Sequence, residues 1–408
     1  MIERISYKLT PIALLVMALH AVGARADDDD DTSIFSFSGF GTVGVAHSSE
    51  DKADFTSTIF KPNGAGHTRD WSADVDSLIG AQVTANFTPQ LSAVLQVISE
   101  QNYDNSYWPH VEWANIKYQF TPDFSVRVGR TVLPAFLLSD TRKVGYTYPW
   151  VRPPLEVYGL LPISHNDGLD LSYRLHLGEL SNTLQVEVGQ IDVNLVNNLG
   201  TIKERGWWGF SNTTESGPLT TRISYQKSYL TAASFNALFD AFRQFGPQGV
   251  VIADKYDPDD RPIHFLGIGA SYDPGNWFVM GEWGQFDAHF FFGKQAAWYV
   301  SGGYRFGTFT PYVIYARANA DNLSDPGLAA PGTAGLNASL NSILSTKPVQ
   351  NTLSIGGRWD FMKNADLKLQ FDHTDIGAGS TGVLSNLQPG FQLGGKVNVF
   401  SATIDFVF

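Results

Sequence analysis

Polar and apolar side chains alternate residue by residue along much of this chain. From Gly168 to Leu177, Leu169, Leu171, Tyr173, Leu175 and Leu177 share one face, while Asp170, Ser172, Arg174 and His176 share the other. A period of two is the mark of a β-strand whose faces meet different surroundings. The last segment, Val397 to Phe408, alternates in the same way up to a terminal aromatic. The pattern predicts 16 strands, near 34–46, 76–87, 91–101, 111–120, 124–130, 168–177, 182–191, 205–213, 217–229, 262–272, 277–287, 296–306, 309–317, 350–361, 365–375 and 396–408.

The connections between these segments are alternately tight and long. Asn86-Phe-Thr-Pro-Gln90 and Gln119-Phe-Thr-Pro-Asp123 are near copies, each ending a strand on an aromatic and fixing a turn with proline, and Asp273-Pro-Gly-Asn276 does the same later. Short turns at one end and long loops at the other are the topology of a transmembrane antiparallel β-barrel. Strands apolar on one side and charged on the other suit only a barrel with lipid outside and water inside. The aromatics Phe87, Phe120, Phe306, Phe361 and Phe408 then form a girdle at one membrane interface. Facing puts Lys117, Arg127, Arg174, Arg222, Arg305, Arg358 and Lys368 in the lumen with Glu100, Asp170, Glu187, Asp360 and Asp372. The expected fold is all-β, one barrel over residues 34–408 with no linker.

Other features narrow the class. Arg4 and Lys8 precede the apolar run Ile12 to Leu19, and Ala24-Arg-Ala26 offers a small-x-small cleavage site, so residues 1–26 read as a secretion signal and 27–33 as an acidic tail. The run from Asp27 to Asp31 repels itself and is read as solvated rather than as a cation site. A mean hydropathy of −0.11 argues against a helical membrane protein, whereas a barrel hides its apolar face in every second residue. Removing the +2 leader (Arg4, Lys8 and Arg25 against Glu3) takes the formal charge from −12 to −14, which argues against nucleic acid as a partner. Cysteine is absent, so no disulfide or thiolate chemistry is available. The nine histidines make no ligand spacing, and neither G-x-S-x-G nor H-E-x-x-H occurs. No cofactor, metal or catalytic constellation is expected.

Sixteen strands enclose more space than wall side chains fill, and the stretch from Thr131 to Asp167 is the segment to enter it. Leu133-Pro-Ala-Phe-Leu-Leu138 and Val157-Tyr-Gly-Leu-Leu-Pro162 are too apolar for an exposed loop. Folding inward shelters them and sets Asp140, Arg142, Lys143, Arg152 and Glu156 at the narrowest part of a pore. Two further loops stand out. Phe235, Leu238, Phe239, Phe242 and Phe245 recur at helical spacing before Gly246-Pro247, predicting a short amphipathic helix over 234–245, whereas 318–348 reads as a flexible loop.

With Phe37-Ser-Gly-Phe-Gly41 opening the first strand, Val126-Arg-Val-Gly-Arg130 leading into the long loop, and the terminal Ile404-Asp-Phe-Val-Phe408, the mature chain resembles the Gram-negative porin family. The resemblance implies a trimer in outer-membrane lipid and lipopolysaccharide, passive diffusion of small hydrophilic solutes and ions, and a third loop folded into the lumen. The loop departs from that family's acidic pattern in holding Arg142, Lys143 and Arg152, and it is rich in proline. For the wall residues Lys117, Arg127, Arg174, Arg222 and Arg358 two readings stand: a ladder drawing anions through, or pairing with lumen acids. The loop basics either bind a carboxylate or phosphate or anchor the loop. A channel selective for small carboxylate or phosphate-like anions, using Arg127, Arg142, Arg152 and Arg174, is the alternative to a general pore. A barrel enzyme such as a lipid hydrolase and a plugged structural barrel stand behind these two.

Overall fold

The computed structural model describes residues 33–408 except 322 and 346. The leader and the acidic run through Asp31 lie outside the described residues. Sixteen long antiparallel strands follow in chain order: β1 Phe35–Ser48, β2 Leu78–Asn86, β3 Leu91–Glu100, β4 His110–Thr121, β5 Phe124–Val132, β6 His165–Leu177, β7 Leu180–Asn194 and β8 Thr201–Ser216, then β9 Leu219–Ala232, β10 Arg261–Tyr272, β11 Trp277–Ala288, β12 Gly293–Tyr304, β13 Phe309–Ala320, β14 Gln350–Met362, β15 Ala365–Ile376 and β16 Gly395–Val407. Each pairs with its sequence neighbours, and β1 closes on β16 from Phe40↔Val407 to Ser48↔Val399. Closure leaves no unpaired edge, which a membrane demands. Three two-residue strands, Asp54–Phe55, Ala65–Gly66 and Trp71–Ser72, fold within the first long loop.

All short turns lie at one end. Gly178 (φ 63°) and Gly217 (φ 53°) supply the left-handed backbone that two such turns require. That end carries the predicted girdle: Phe87, Phe120, Phe306, Phe361 and Phe408 are all exposed, and Phe120 packs between Tyr118 and Phe124. The glycines of Phe37-Ser-Gly-Phe-Gly41 have a steric reason. A Cβ on Gly39 would lie 2.1 Å from the Phe408 ring and one on Gly41 2.5 Å from Phe406, so the terminal aromatics lie over bare backbone where the barrel closes.

Facing follows the alternation. Tyr173, Leu175 and Leu177 are exposed to the outside and Asp170 is fully buried. Several strands run further than the alternation reached, most of all β8, where residues 201–204 and 214–216 extend past the predicted ends, while β2 falls short of its predicted range. A register shift between Arg205 and Trp208 adds a residue there, turning Trp207 inward and Trp208 outward. Arg305 sits at the short-turn rim, held by Asp273, rather than deep in the lumen.

At the opposite end the loops form a packed layer. The predicted helix exists as α2 Asn236–Arg243, which follows the inward loop's single turn, α1 Leu155–Tyr158. Phe239 and Phe242 are fully buried within the loop layer, and Phe235 packs on Phe291. Gly246 (φ 71°) ends α2, but Pro247 then stands at the start of a second helix, α3 Gly246–Tyr256, where its missing N–H costs nothing. Residues 318–348, read as flexible, instead hold the helix α4 Ala334–Ser345, with Leu340 and Leu344 fully buried. Asp325 fixes the segment before it through Lys255 (3.1 Å) and the Tyr256 hydroxyl (3.0 Å).

Candidate functional site: the constricted lumen

The inward loop lies against one wall instead of crossing the lumen symmetrically. Its apolar runs supply Leu133, Phe136, Val157, Tyr158, Leu160 and Leu161, and the facing strands β10 to β13 turn Phe265, Tyr299 and Ile314 inward, so the two surfaces make a dry core inside the barrel. Phe136 packs on Tyr158 and on Phe265, and Trp150 meets Tyr299 edge-on at 5.5 Å. The polar side chains that the loop brings into this core find partners, whereas on the wall the Trp207 indole and the Gln226 amide do not. The Trp150 indole donates to Ser301 at 2.8 Å. The buried Glu282 carboxylate accepts from the hydroxyls of Tyr158 (2.6 Å) and Tyr299 (2.9 Å) and from the Leu137 amide (2.8 Å). Burying aromatic and aliphatic area of this size is what holds a long loop inside.

Charges complete the attachment. Arg152, 6 % exposed, makes two hydrogen bonds to Asp76 (2.8 and 2.6 Å), one to Asp372 (3.3 Å) and one to Ser401 (2.7 Å). Glu156 is equally buried and accepts from Gln350 (2.6 Å) and Thr352. Burial raises the Glu156 carboxyl above its ordinary range, and these two donors oppose the rise. Among the described residues Arg142 meets no carboxylate at ion-pair distance. Its guanidinium donates to the carbonyls of Tyr158 (3.1 Å), Leu161 (3.2 Å) and Ile163 (3.4 Å), pinning the loop to itself. Lys143 pairs with Glu100, which also lies 3.8 Å from Lys61. Asp140 is more than half exposed and lies 3.6 Å from Arg222.

The wall basics divide in the same way. Arg222 donates to the Phe136 carbonyl and to Thr213. Arg358 holds the loop tip through the Tyr146 (2.7 Å) and Tyr148 (3.2 Å) carbonyls while pairing with Asp360 and Asp366. Lys368 donates to the Gly145 carbonyl at 2.6 Å and pairs with Asp405 at 3.0 Å. Lys117, Arg127, Asp170 and Glu187 stand side by side across β4 to β7. Arg127 is bound to Asp170 at 2.8 Å. Among the described residues, Lys117 and Arg174 have neither an ion-pair partner nor a side-chain hydrogen bond. They are the basic groups of the wall left facing water.

The charged open space lies on the other side of the loop. A cavity of about 350 Å³ separates it from the wall of β1, β3 and β4 and is lined by Lys61, Glu100, His110, Glu112, Lys143 and His165, with both signs present. Two of the nine histidines that spacing left without a role meet here: His165 lies 3.5 Å and His110 3.9 Å from Glu112. The sequence did hold a signal for the dry wall. In Tyr312-Val-Ile-Tyr-Ala316 both faces are apolar, which a strand between lipid and water has no use for. No group of His, Asp and Glu suited to a metal ion occurs among the described residues.

No protein-family model matches the chain, and no curated protein sequence matches it. Solved structures do. OmpF of Salmonella typhi, in a complex with daunomycin, superposes with a TM-score of 0.56 at 12 % identity, over 92 % of this chain and 97 % of that one. An anion-selective porin from Comamonas acidovorans gives 0.55 at 12 % identity, over 92 % and 99 %. A loop-deletion mutant of OmpT, an outer membrane protein of Vibrio cholerae, gives 0.52 at 10 %, over 92 % and 100 %. At this identity the likeness is one of architecture, and with the closed 16-strand barrel and the loop in its lumen it gives the chain the porin fold.

Proposed function

We propose that the protein is an outer-membrane diffusion channel for small hydrophilic solutes and ions, without catalytic activity of its own. The observation that carries this reading is the asymmetric seat of the inward loop: its apolar side docks on β10 to β13 and its polar contacts run from β9 to β16, so it narrows the barrel yet leaves a polar, two-signed cavity on the side of β1 to β7. In this reading the short-turn end faces the periplasm and the loop layer faces outward. The chain assembles as a homotrimer, as one related fold, the trimer form of Vibrio cholerae OmpT, is described to do.

A preference for anions is the second reading, and Lys117 and Arg174 are what favours it. Most other lumen basics are spent on carboxylates or carbonyls, so an anion-attracting field has to come from these two and from the exposed side of Arg127. Single-channel recording of the refolded protein in a planar bilayer, with the reversal potential read under a salt gradient, tests both. Steady steps support the channel, and the sign of the reversal potential assigns the selectivity. A protein that inserts and gives no steps would overturn the open-pore reading in favour of a plugged barrel.

A further inference from the structure

A second recess opens beside the polar passage, and a pore for hydrophilic solutes has no need of it. It is a cavity of about 270 Å³ in which Leu160, Leu161 and Ile163 of the inward loop face Leu230, Ile263 and Phe286 of the wall. A void of about 150 Å³ already accommodates benzene, so this one takes an aromatic ring with a short side chain. Water inside it finds few polar partners, whereas an apolar body is well matched. Arg142, Leu155, Ile163 and Val193 line both cavities, which gives a solute in the polar passage a way in.

Three charged side chains line the recess: Arg142, Glu156 and Glu204. Arg142 is occupied by three carbonyls, and Glu156 by Gln350 and Thr352. Glu204 differs. It is 3 % exposed and accepts one hydrogen bond, 2.7 Å from the Ser228 hydroxyl, with no cationic group at ion-pair distance among the described residues. The neighbouring Arg205 points away and pairs with Asp192. The extra residue inserted just after Arg205 resets the alternation, so that Glu204 and Trp207 both face inward. A carboxylate held among apolar side chains without a counter-charge is costly; either a proton or a cation from solution removes that cost, and the recess has room for the cation.

We propose that this recess binds a small organic ammonium ion with an apolar body, the ammonium donating to the Glu204 carboxylate and the body packing against Leu160, Ile263 and Phe286. The site goes beyond the channel reading and does not depend on conduction. Calorimetric titration of the refolded protein in detergent micelles with 2-phenylethylammonium chloride, corrected by a detergent blank, tests it against neutral 2-phenylethanol. The expected result is saturable binding of the ammonium, at least about tenfold tighter than of the alcohol, as a charge-assisted hydrogen bond implies. Glu204→Gln keeps the Ser228 contact and should weaken the ammonium at least about tenfold while leaving the alcohol unchanged. Heat no different from the blank, or equal affinity for the two probes, would overturn the proposal. The two-probe comparison on the unaltered protein decides the matter even if the variant does not refold, and a failure to conduct would bear on the channel reading alone.

Discussion

At the residue scale the lumen is governed by what each charge is spent on. Arg152 is buried between Asp76 and Asp372, and its bidentate bond to Asp76 makes it the centre of a closed network. Arg152→Ala leaves two carboxylates without a counter-charge, a loss of about 3–5 kcal/mol. Urea unfolding of the barrel in lipid vesicles, followed by tryptophan fluorescence, should show it as a lowered midpoint; an unchanged midpoint would mean that water already reaches the pair. Lys347, in the loop between β13 and β14, is the pH-sensitive counterpart. Its amine donates to the Phe291 carbonyl at 2.6 Å and the Leu344 carbonyl at 3.1 Å, and burial lowers its pKa from 10.5 to about 8. The unfolded chain therefore binds more protons between these values, so the docking of this loop is weakest below pH 8 and strengthens as pH rises toward 10.5. Hydrogen exchange of the segment 334–345 over that range should show increasing protection beyond the intrinsic pH effect, and Lys347→Met should flatten the trend.

At the scale of elements, the inward loop behaves as an internal core element. Trp150 is fully buried and donates to Ser301, so Trp150→Ala should cost roughly 3–5 kcal/mol of docking. Limited proteolysis within 133–164 should accelerate while the barrel strands stay resistant; cleavage no faster than in the parent would show that the loop is held by its charges alone. The strands were legible one by one, because Leu169 to Leu177 and their equivalents must show lipid an apolar side chain at every second position. Their ends in β7 and β8 were not, since Thr214-Glu-Ser216 continues the ladder with polar residues on both faces. The helix α2 announced itself through its phenylalanine spacing, and Gly246-Pro247 stops it but also opens a second helix. The helix α4 left a fainter trace. Leu336, Leu340, Ile343 and Leu344 stand at helical spacing, but the Ala, Gly, Asn and Ser around them read as a flexible loop, and only the loop layer packed over Leu340 and Leu344 fixes them.

At the scale of the whole molecule, the seat of the loop divides the barrel into a dry wall and a wet one. In the proposed channel, selectivity would rest on the wet wall, where, among the described residues, Lys117 and Arg174 are the wall cations without an ion-pair partner. The double substitution Lys117→Gln with Arg174→Gln should move the reversal potential toward cations, by an amount that shrinks as salt is raised; no movement would place the selective step in the loop layer. Alternation along the strands, the tight proline and glycine turns, and the terminal aromatic were enough to determine the closed barrel, its strand number and the faces turned to lipid. Those features are local: each is fixed by whether a side chain meets hydrocarbon or water, and the sequence records that position by position. Even the entry of the loop followed from its composition, as Leu133 to Leu138 and Val157 to Pro162 cannot remain in water. Only the tertiary structure decided which wall receives the loop, which arginines it consumes, and that Glu204 is left without a cation beside an apolar recess. Those outcomes depend on pairings between residues up to a few hundred positions apart, such as Arg152 with Asp372 and Gly145 with Lys368, and no pattern along the chain encodes which of several equivalent charges will meet.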